Sequence, residues 1–580
     1  MTIKKAAKKL VTRSVTTIPP ELHHLPPVLQ RVFAARGITC AAELQRNLSL
    51  LPSPWLLSGM EKITDLLMTA IVQQQKIVIV ADYDADGATS CAIAMQGLKQ
   101  FGLKNCAFVV PNRFQYAYGL SPEIVLLVKE LHPDVEIILT VDNGTSDTLG
   151  INTAKQLGLC VLVTDHHLPH RQLPDADAIV NPCLPHSEFP STHLAGCGVI
   201  FYVLMALRAK MRSAGHFQKS SEPNLTELLD YVALGTVADV VRLDAINRSL
   251  VHQGLLRIRA GKCHAGILAL LKVAGKNSKN LTTTDLGFAL APRLNAAGRM
   301  DDMSLGIQCL LTEDAAFAEK LAQQLNQLNS ERKEVEAQMK QEALLLLADA
   351  QRLDKTHLLS GVCLYDASWH QGVIGILAAR MKEQLHRPVI AFAPAGQDEI
   401  KGSARSIEGI HIRDVLSDIA AAHPSILSKF GGHAMAAGLS LKMHDYPVFV
   451  LAFDEMVSKR LQGMDLHETM LTDGQLTAED FTLSFAQTLQ NSATWGQGFP
   501  EPVFEGYFDV VQCRVLAQLH LKFVLKIPNS HALVDAIVFF VEQPESWLHV
   551  KKIRAAYKLS VNEYKEQCSL QLQLLYLEKQ

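Results

Sequence analysis

The 580-residue chain reads as an α/β protein: a parallel-sheet lobe, a long connecting helix, a second α/β lobe and a small C-terminal β-barrel. Three observations predict this order. Short Val- and Ile-rich runs alternate with helix-length segments between 76 and 181, the pattern of a parallel sheet covered on both faces. No Gly or Pro occurs from Leu311 to Ser360. After about 470, β-type runs recur at short spacing.

The elements follow in order. Residues 1–60 form a Pro-containing lead-in with small helices. Within 61–312, KIVIV (76–80), VEIILTV (135–141), LCVLVT (159–164) and DAIVN (177–181) are the candidate strands, and DYVALGTVADVV (230–241) is a further apolar run that we group with them. Residues 313–353, dense in Ala, Leu, Glu, Gln and Lys, predict one long helix, with a helical hairpin turning at Asn329-Ser330 as the alternative. Residues 354–462 carry VCLYD, a helix near 372–385, PVIAFA and Gly-rich turns. Residues 463–580 carry FEGYFDVVQCRVLAQ, LKFVLKI and ALVDAIVFFVEQ, the runs of the barrel.

Composition narrows the class. At 48% hydrophobic and 19% charged, the chain is neither a disordered polymer nor a small disulfide scaffold. The formal charge of −3 excludes a wholly basic surface, so any contact with nucleic acid must be local. No two of the 11 cysteines form a C-x-x-C pair, which fits reduced core cysteines in a cytoplasmic protein. The basic start MTIKKAAKKLVTR lacks an apolar segment after it and reads as a solvated tail rather than a signal peptide. No stretch is apolar enough to span a membrane.

The strand runs end at acids. KIVIVA leads into Asp82, Asp84 and Asp86; EIILTV into Asp142; VLVT into Asp165, His166 and His167; the ALGTVA run ends at Asp239. In an open parallel sheet, ligands bind beyond the carboxyl ends of the strands. Acids crowded there raise one another's pKa, and divalent cations relieve the crowding. Oxygen ligands with an imidazole suit Mn²⁺ or Mg²⁺, and the ligand count suits two ions. DYDADG also opens like a calcium loop, but the twelfth position is Ile93 and a strand run precedes it, against an EF-hand. There is no G-x-S-x-G, no Walker A motif and no G-x-G-x-x-G after a strand, which removes the main support for hydrolase-elbow, ATP and dinucleotide readings.

DYDADGATS, VDNGTS, DHH and GTVADVV, in this order, resemble the four motifs of the DHH phosphoesterase superfamily. APRLNAAGRM (291–300), WHQGVIGI (369–376), KGSARS (401–406), GGHAMAAG (431–438) and PEPVFEG (500–506) extend the resemblance to the RecJ family of single-strand-specific exonucleases, over about residues 60–540. The resemblance implies a DHH lobe, a DHH-associated C-terminal lobe and an OB-type barrel. It implies 5′-to-3′ hydrolysis of single-stranded DNA by two-metal catalysis, in DNA repair and recombination. Asp84, Asp86, Asp142, His166 and Asp239 would be metal ligands, with Asp142 bridging. Asp82 and Asp165 would be ligands or would orient the imidazoles, and His167 would sit against the scissile phosphate. Arg113, Ser403 and Arg405 would clamp the 5′-terminal phosphate. Arg299 and His433 would add phosphate contacts, and Gly431-Gly432 would admit phosphate to backbone amides. A single-strand binding protein and a RecQ-type helicase are the partners the family suggests. Gln115-Tyr116-Ala117, Cys197 and Phe499 depart from the usual family pattern. Another DHH activity, on nano-RNA or cyclic dinucleotides, and a non-catalytic replication scaffold are the competing readings.

Overall fold

The computed structural model describes residues 8–580 except 117, 171, 219–220, 354–358, 397, 428, 465–467 and 565–566. The first seven residues of the basic start, and Ala117, lie outside the described residues. The chain divides into two compact units. One comprises Leu10–Ala297, Asp302–Asn326 and Leu471–Gln580; the other comprises Gly298–Asp301 and Gln327–Met470, with Lys8 and Lys9.

The first unit is built on a five-stranded parallel sheet in the order Cys106–Val109, Ile77–Ala81, Ile137–Val141, Cys160–Thr164, Ala178–Val180. Every residue of Ile77–Ala81 and Ile137–Val141 is buried, as β-branched strands covered on both faces require. Val78, Val80, Ile138, Val161 and Val163 pack under helices Pro122–Leu131 and Thr148–Gln156. Helices Ala85–Gln100 and Gly196–Ser213 cover the other face. The register pairs Ala81 with Val141 and Val141 with Thr164. Asp82, Asp142 and Asp165 therefore leave neighbouring strands at one level, about 5 Å apart strand to strand.

The apolar run ending at Asp239 differs from the sequence reading. It is a helix, Leu229–Ala238, with Asp239 as its C-cap. Residues 229–236 are all buried, and a helix apolar on every side shows no 3.6-residue periodicity to separate it from a strand.

The same unit holds a closed barrel in the order Phe504–Leu516, His520–Lys526, Leu533–Val538, Gln567–Lys579, Lys552–Tyr564. Phe504, Phe508, Phe523, Leu525, Ile553, Tyr557 and Leu572 are buried within it.

Helix Ala315–Leu353 runs 39 residues without a break, about 58 Å at 1.5 Å per residue, beginning in one unit and ending in the other. The hairpin alternative fails because Asn329 is buried and its Oδ1 accepts from Arg332 Nη2 at 3.2 Å, one turn on.

The second unit carries a mixed sheet in the order Lys429–Gly432, Ala436–Lys442, Glu399–Arg405, Val389–Pro394, Val362–Tyr365. Its core joins Phe392, Leu439 and Leu441 to Val415, Ile419, Phe449 and Phe453 of helices Ile412–Ala422 and Tyr446–Leu461. GGHAMAAG forms the hairpin between the first two strands. Among the described residues, no helix is long and apolar enough to cross a membrane.

Candidate metal centre and phosphate site

The strand ends converge as the register demands. Asp84 caps helix Ala85–Gln100, accepting from Asp86 N at 2.9 Å and Gly87 N at 3.0 Å. Its cap turns Asp86 inward, where Gly196 N (2.6 Å) and Cys197 N (3.0 Å) donate to the Asp86 carboxylate. Asp142 adopts φ +63°, a left-handed conformation uncommon for a non-glycine residue and often found at functional sites. Asn143 Nδ2 ties this turn to the carbonyls of Val80 (3.2 Å) and Val141 (2.9 Å).

His166 Nε2 lies 3.0 Å from Asp142 Oδ1, 3.5 Å from Asp239 Oδ2 and 3.9 Å from Asp86 Oδ2. Three overlapping groups have ligand atoms mutually within 4.8 Å: Asp142, His166 and His167; Asp86, His166 and Asp239; Asp82, Asp84 and Asp142. Asp142 is common to two of them and His166 to two.

Electrostatics explains what such a cage requires. Burial, then Asp84, pushes the Asp82 carboxyl up to about 8. Burial, then Asp86, Asp84, Asp82 and Asp239, raises Asp142 far above the carboxylate range. Burial and then Asp86 do the same to Asp239, which also faces the negative end of its helix. Burial holds the His166 imidazole down, hence neutral. Asp142 Oδ1 and His166 Nε2 are both buried and neither makes a hydrogen bond. Two buried polar atoms 3.0 Å apart without hydrogen bonds, set among further carboxylates, fit the ligand set of a divalent cation. Oxygen and imidazole donors of this kind fit Mn²⁺ or Mg²⁺.

Asp165 has a different place. Its Oδ1 meets His167 Nδ1 at 2.7 Å and its Oδ2 accepts from Thr145 N at 2.9 Å. Although burial disfavours its charge, the His167 contact holds it well below the usual range. Burial opposes charge on His167 too, but Asp165 outweighs it and lifts the imidazole to about 9. Tyr118 Oη lies 3.4 Å from His167 Nε2.

The expected phosphate contacts fall in both units. Arg113, in the unit with the acids, stacks over Tyr83 at 4.7 Å. Ser403 and Arg405 lie on strand Glu399–Arg405 of the other unit, with Arg405 Nη1 donating to Ser403 Oγ at 3.1 Å. No ion pair involves Arg405 among the described residues. A Cβ on Gly375, near the start of helix Ile374–Leu385, would meet Ser403 Oγ at 3.0 Å and Arg405 Nη2 at 3.1 Å. A helix N-terminus beside an Arg and a Ser hydroxyl is an anion-binding combination. In that same unit Arg299 Nη1 donates to Gly372 O at 3.3 Å. Gly431 and Gly432 precede His433 at the hairpin turn, Gly432 at φ +142°.

Several residues of the site were not singled out from sequence. Asn295 Oδ1 accepts from Ala85 N at 2.8 Å and so braces the aspartate loop. Asn181 Nδ2 donates to His167 O at 2.8 Å. The amides of Gly196 and Cys197 carry no side-chain signature. Asn295 was legible only as part of the LNAAG run.

Three family models match the chain: the DHH family, N-terminal domain over residues 76–236, the DHHA1 domain over 357–459 and the RecJ OB domain over 472–576. The single-stranded-DNA-specific exonuclease RecJ of Salmonella typhimurium is 48% identical over 554 residues, 94% of this chain and 95% of the relative. The protein of that name from Escherichia coli is 47% identical over 555 residues, again 94% and 95%. Among solved structures, RecJ in complex with Mn²⁺ from Thermus thermophilus is similar with a TM-score of 0.81 and 27% identity, covering 99% of this chain and 80% of that one. The same protein in complex with Mg²⁺ gives 0.74 and 25%, covering 99% and 79%. With the DHH, DHHA1 and OB segments in this order and near-half identity over almost the whole length, the chain belongs to the RecJ family of single-stranded-DNA-specific exonucleases.

Proposed function

We propose that the chain hydrolyses phosphodiester bonds of single-stranded DNA from the 5′ end, releasing nucleotides, in DNA repair and recombination. The observation that carries this reading is the buried pair Asp142 Oδ1 and His166 Nε2, 3.0 Å apart and without hydrogen bonds, inside a ring of carboxylates. Asp84, Asp86, Asp142, His166 and Asp239 would hold two divalent cations, Mn²⁺ or Mg²⁺, with Asp142 between them and Asp82 in support. When bound, such a pair supplies charge stabilisation at the attacking and leaving oxygens of an in-line displacement.

The chain's own residues do the rest. Asp165 fixes the Nδ1 side of His167, so Nε2, whose protein contact is the Tyr118 hydroxyl at 3.4 Å, would donate to an oxygen of the scissile phosphate. Its imidazolium is charged at neutral pH because of Asp165, and so it adds positive charge where negative charge builds. Arg405 and Ser403 would bind the 5′-terminal phosphate, aided by Arg113, Arg299, His433 and the Gly431-Gly432 amides. The barrel would hold the incoming strand by backbone electrostatics and stacking on exposed rings such as Tyr507 and Phe540. By the same family reading the protein acts in the cytoplasm with a single-strand binding protein and a RecQ-type helicase.

Digestion of single strands labelled at one end or the other, with Mn²⁺ and with chelator, tests the reading. A 5′ label should appear at once as mononucleotide and chelator should abolish it. Release from the 3′ end, or activity that survives chelation, would overturn it.

A further inference from the structure

Phe288 is the most exposed large apolar side chain among the described residues, at 84%. It sits in a π-helical turn, Leu286–Leu290, that leads into helix Ala291–Met300. Such turns are rare and recur at functional sites. Two contacts place this turn beside the acid cluster. The backbone of Gly287 packs against Val237, so closely that a Cβ there would lie 3.3 Å from Val237 Cγ1, and Val237 stands two residues before Asp239. Farther along the same helical run, Asn295 accepts the amide of Ala85, between Asp84 and Asp86. On the other side of Asp239, Val240 is 61% exposed and held at φ +62°, a conformation that β-branched residues rarely adopt. Close to Asp239 in the chain and in this packing, two apolar side chains thus face solvent, one of them a flat ring.

We propose that Phe288 is a stacking platform for a nucleobase of the DNA strand close to the scissile phosphodiester. This platform presupposes the nuclease reading above. A base fits better than a protein partner because the surface is a single protruding ring, on a turn packed against the helix that ends at Asp239. A ring face also accepts any base, as a nuclease without sequence preference needs.

The test uses the full-length protein with Mn²⁺ and 5′-phosphorylated oligonucleotides carrying one abasic residue at each of the first five positions in turn. Wild type should lose about 10-fold in kcat/KM at one of these positions, within the range stacking supplies. Phe288→Ala should lose about the same on the fully based strand and lose nothing further at that position, while Phe288→Trp restores both. A merely structural defect would lower every substrate alike and leave the position effect intact, which would overturn the proposal, as would unchanged kinetics in Phe288→Ala. A wild type inactive on every substrate would instead sink the nuclease reading itself.

Discussion

Replacing Asp82 by Asn in protein stripped of divalent cations tests the electrostatics behind the cage. Burial and Asp84 raise the folded-state pKa of Asp82 from 3.8 to about 8. Between those values the folded protein keeps a proton that the unfolded chain has released. The stability tied to this proton is complete below the unfolded value and is lost as pH rises toward 8. The slope for one whole proton is about 1.4 kcal/mol per pH unit, and between pH 6 and 7 the folded state holds nearly all of it. Asp86, Asp142 and Asp239 are shifted the same way and steepen the fall. Asn keeps an acceptor for the Tyr83 amide, now 2.6 Å from Asp82 Oδ1, while removing the titration. Urea unfolding in chelator at pH 6 and 7 should show wild type losing about 1 kcal/mol more than Asp82→Asn across that interval. Mn²⁺ at 100 times its dissociation constant should stabilise wild type by about 2.7 kcal/mol for each ion bound and erase the difference in slope. Equal slopes in chelator would refute the reasoning.

Three further outcomes follow from the geometry. Asp165→Asn removes the negative charge that helps lift His167 to about 9; under the proposed role of the charged imidazole, the alkaline limb of the kcat–pH profile should move by up to about two units toward acid, and an unmoved limb would contradict the pairing. Gly196→Ala would place a Cβ 2.6 Å from Asp142 Cβ and 2.7 Å from its Oδ1, so titration with Mn²⁺ should show affinity down by at least about 10-fold, and unchanged affinity would show that Asp142 is not held where the cage needs it. Arg405→Ala should remove about 10- to 100-fold of preference for a 5′-phosphorylated end, the value of a charge-assisted contact, and an intact preference would dismiss the clamp.

Much of this was legible in sequence because the parallel sheet does two things at once. Burial on both faces demands continuous Val and Ile, and the chain must turn where those runs stop, so Asp82, Asp142 and Asp165 announce themselves by position. Asp239 was read as a strand end because Leu229–Ala238 is apolar on every side, which hides a helical period. The edge strand Cys106–Val109 was missed: it is mostly half-buried and reads as CAFV, without a β-branched run. Lys429–Gly432 escaped because glycine is a poor strand former, and the barrel strands Lys552–Tyr564 and Gln567–Lys579 because their polar outward positions dilute the apolar signal. The amides of Gly196 and Cys197, which hold Asp86, come from distant backbone, and backbone donors leave no trace in residue identity.

The most direct measurement is anomalous diffraction from crystals of the full chain soaked in Mn²⁺. The account predicts two peaks about 3.5–4 Å apart, both within bonding distance of Asp142 and with His166 on one of them. Manganese bound elsewhere, or an absence of peaks among these side chains at saturating concentration, would contradict it.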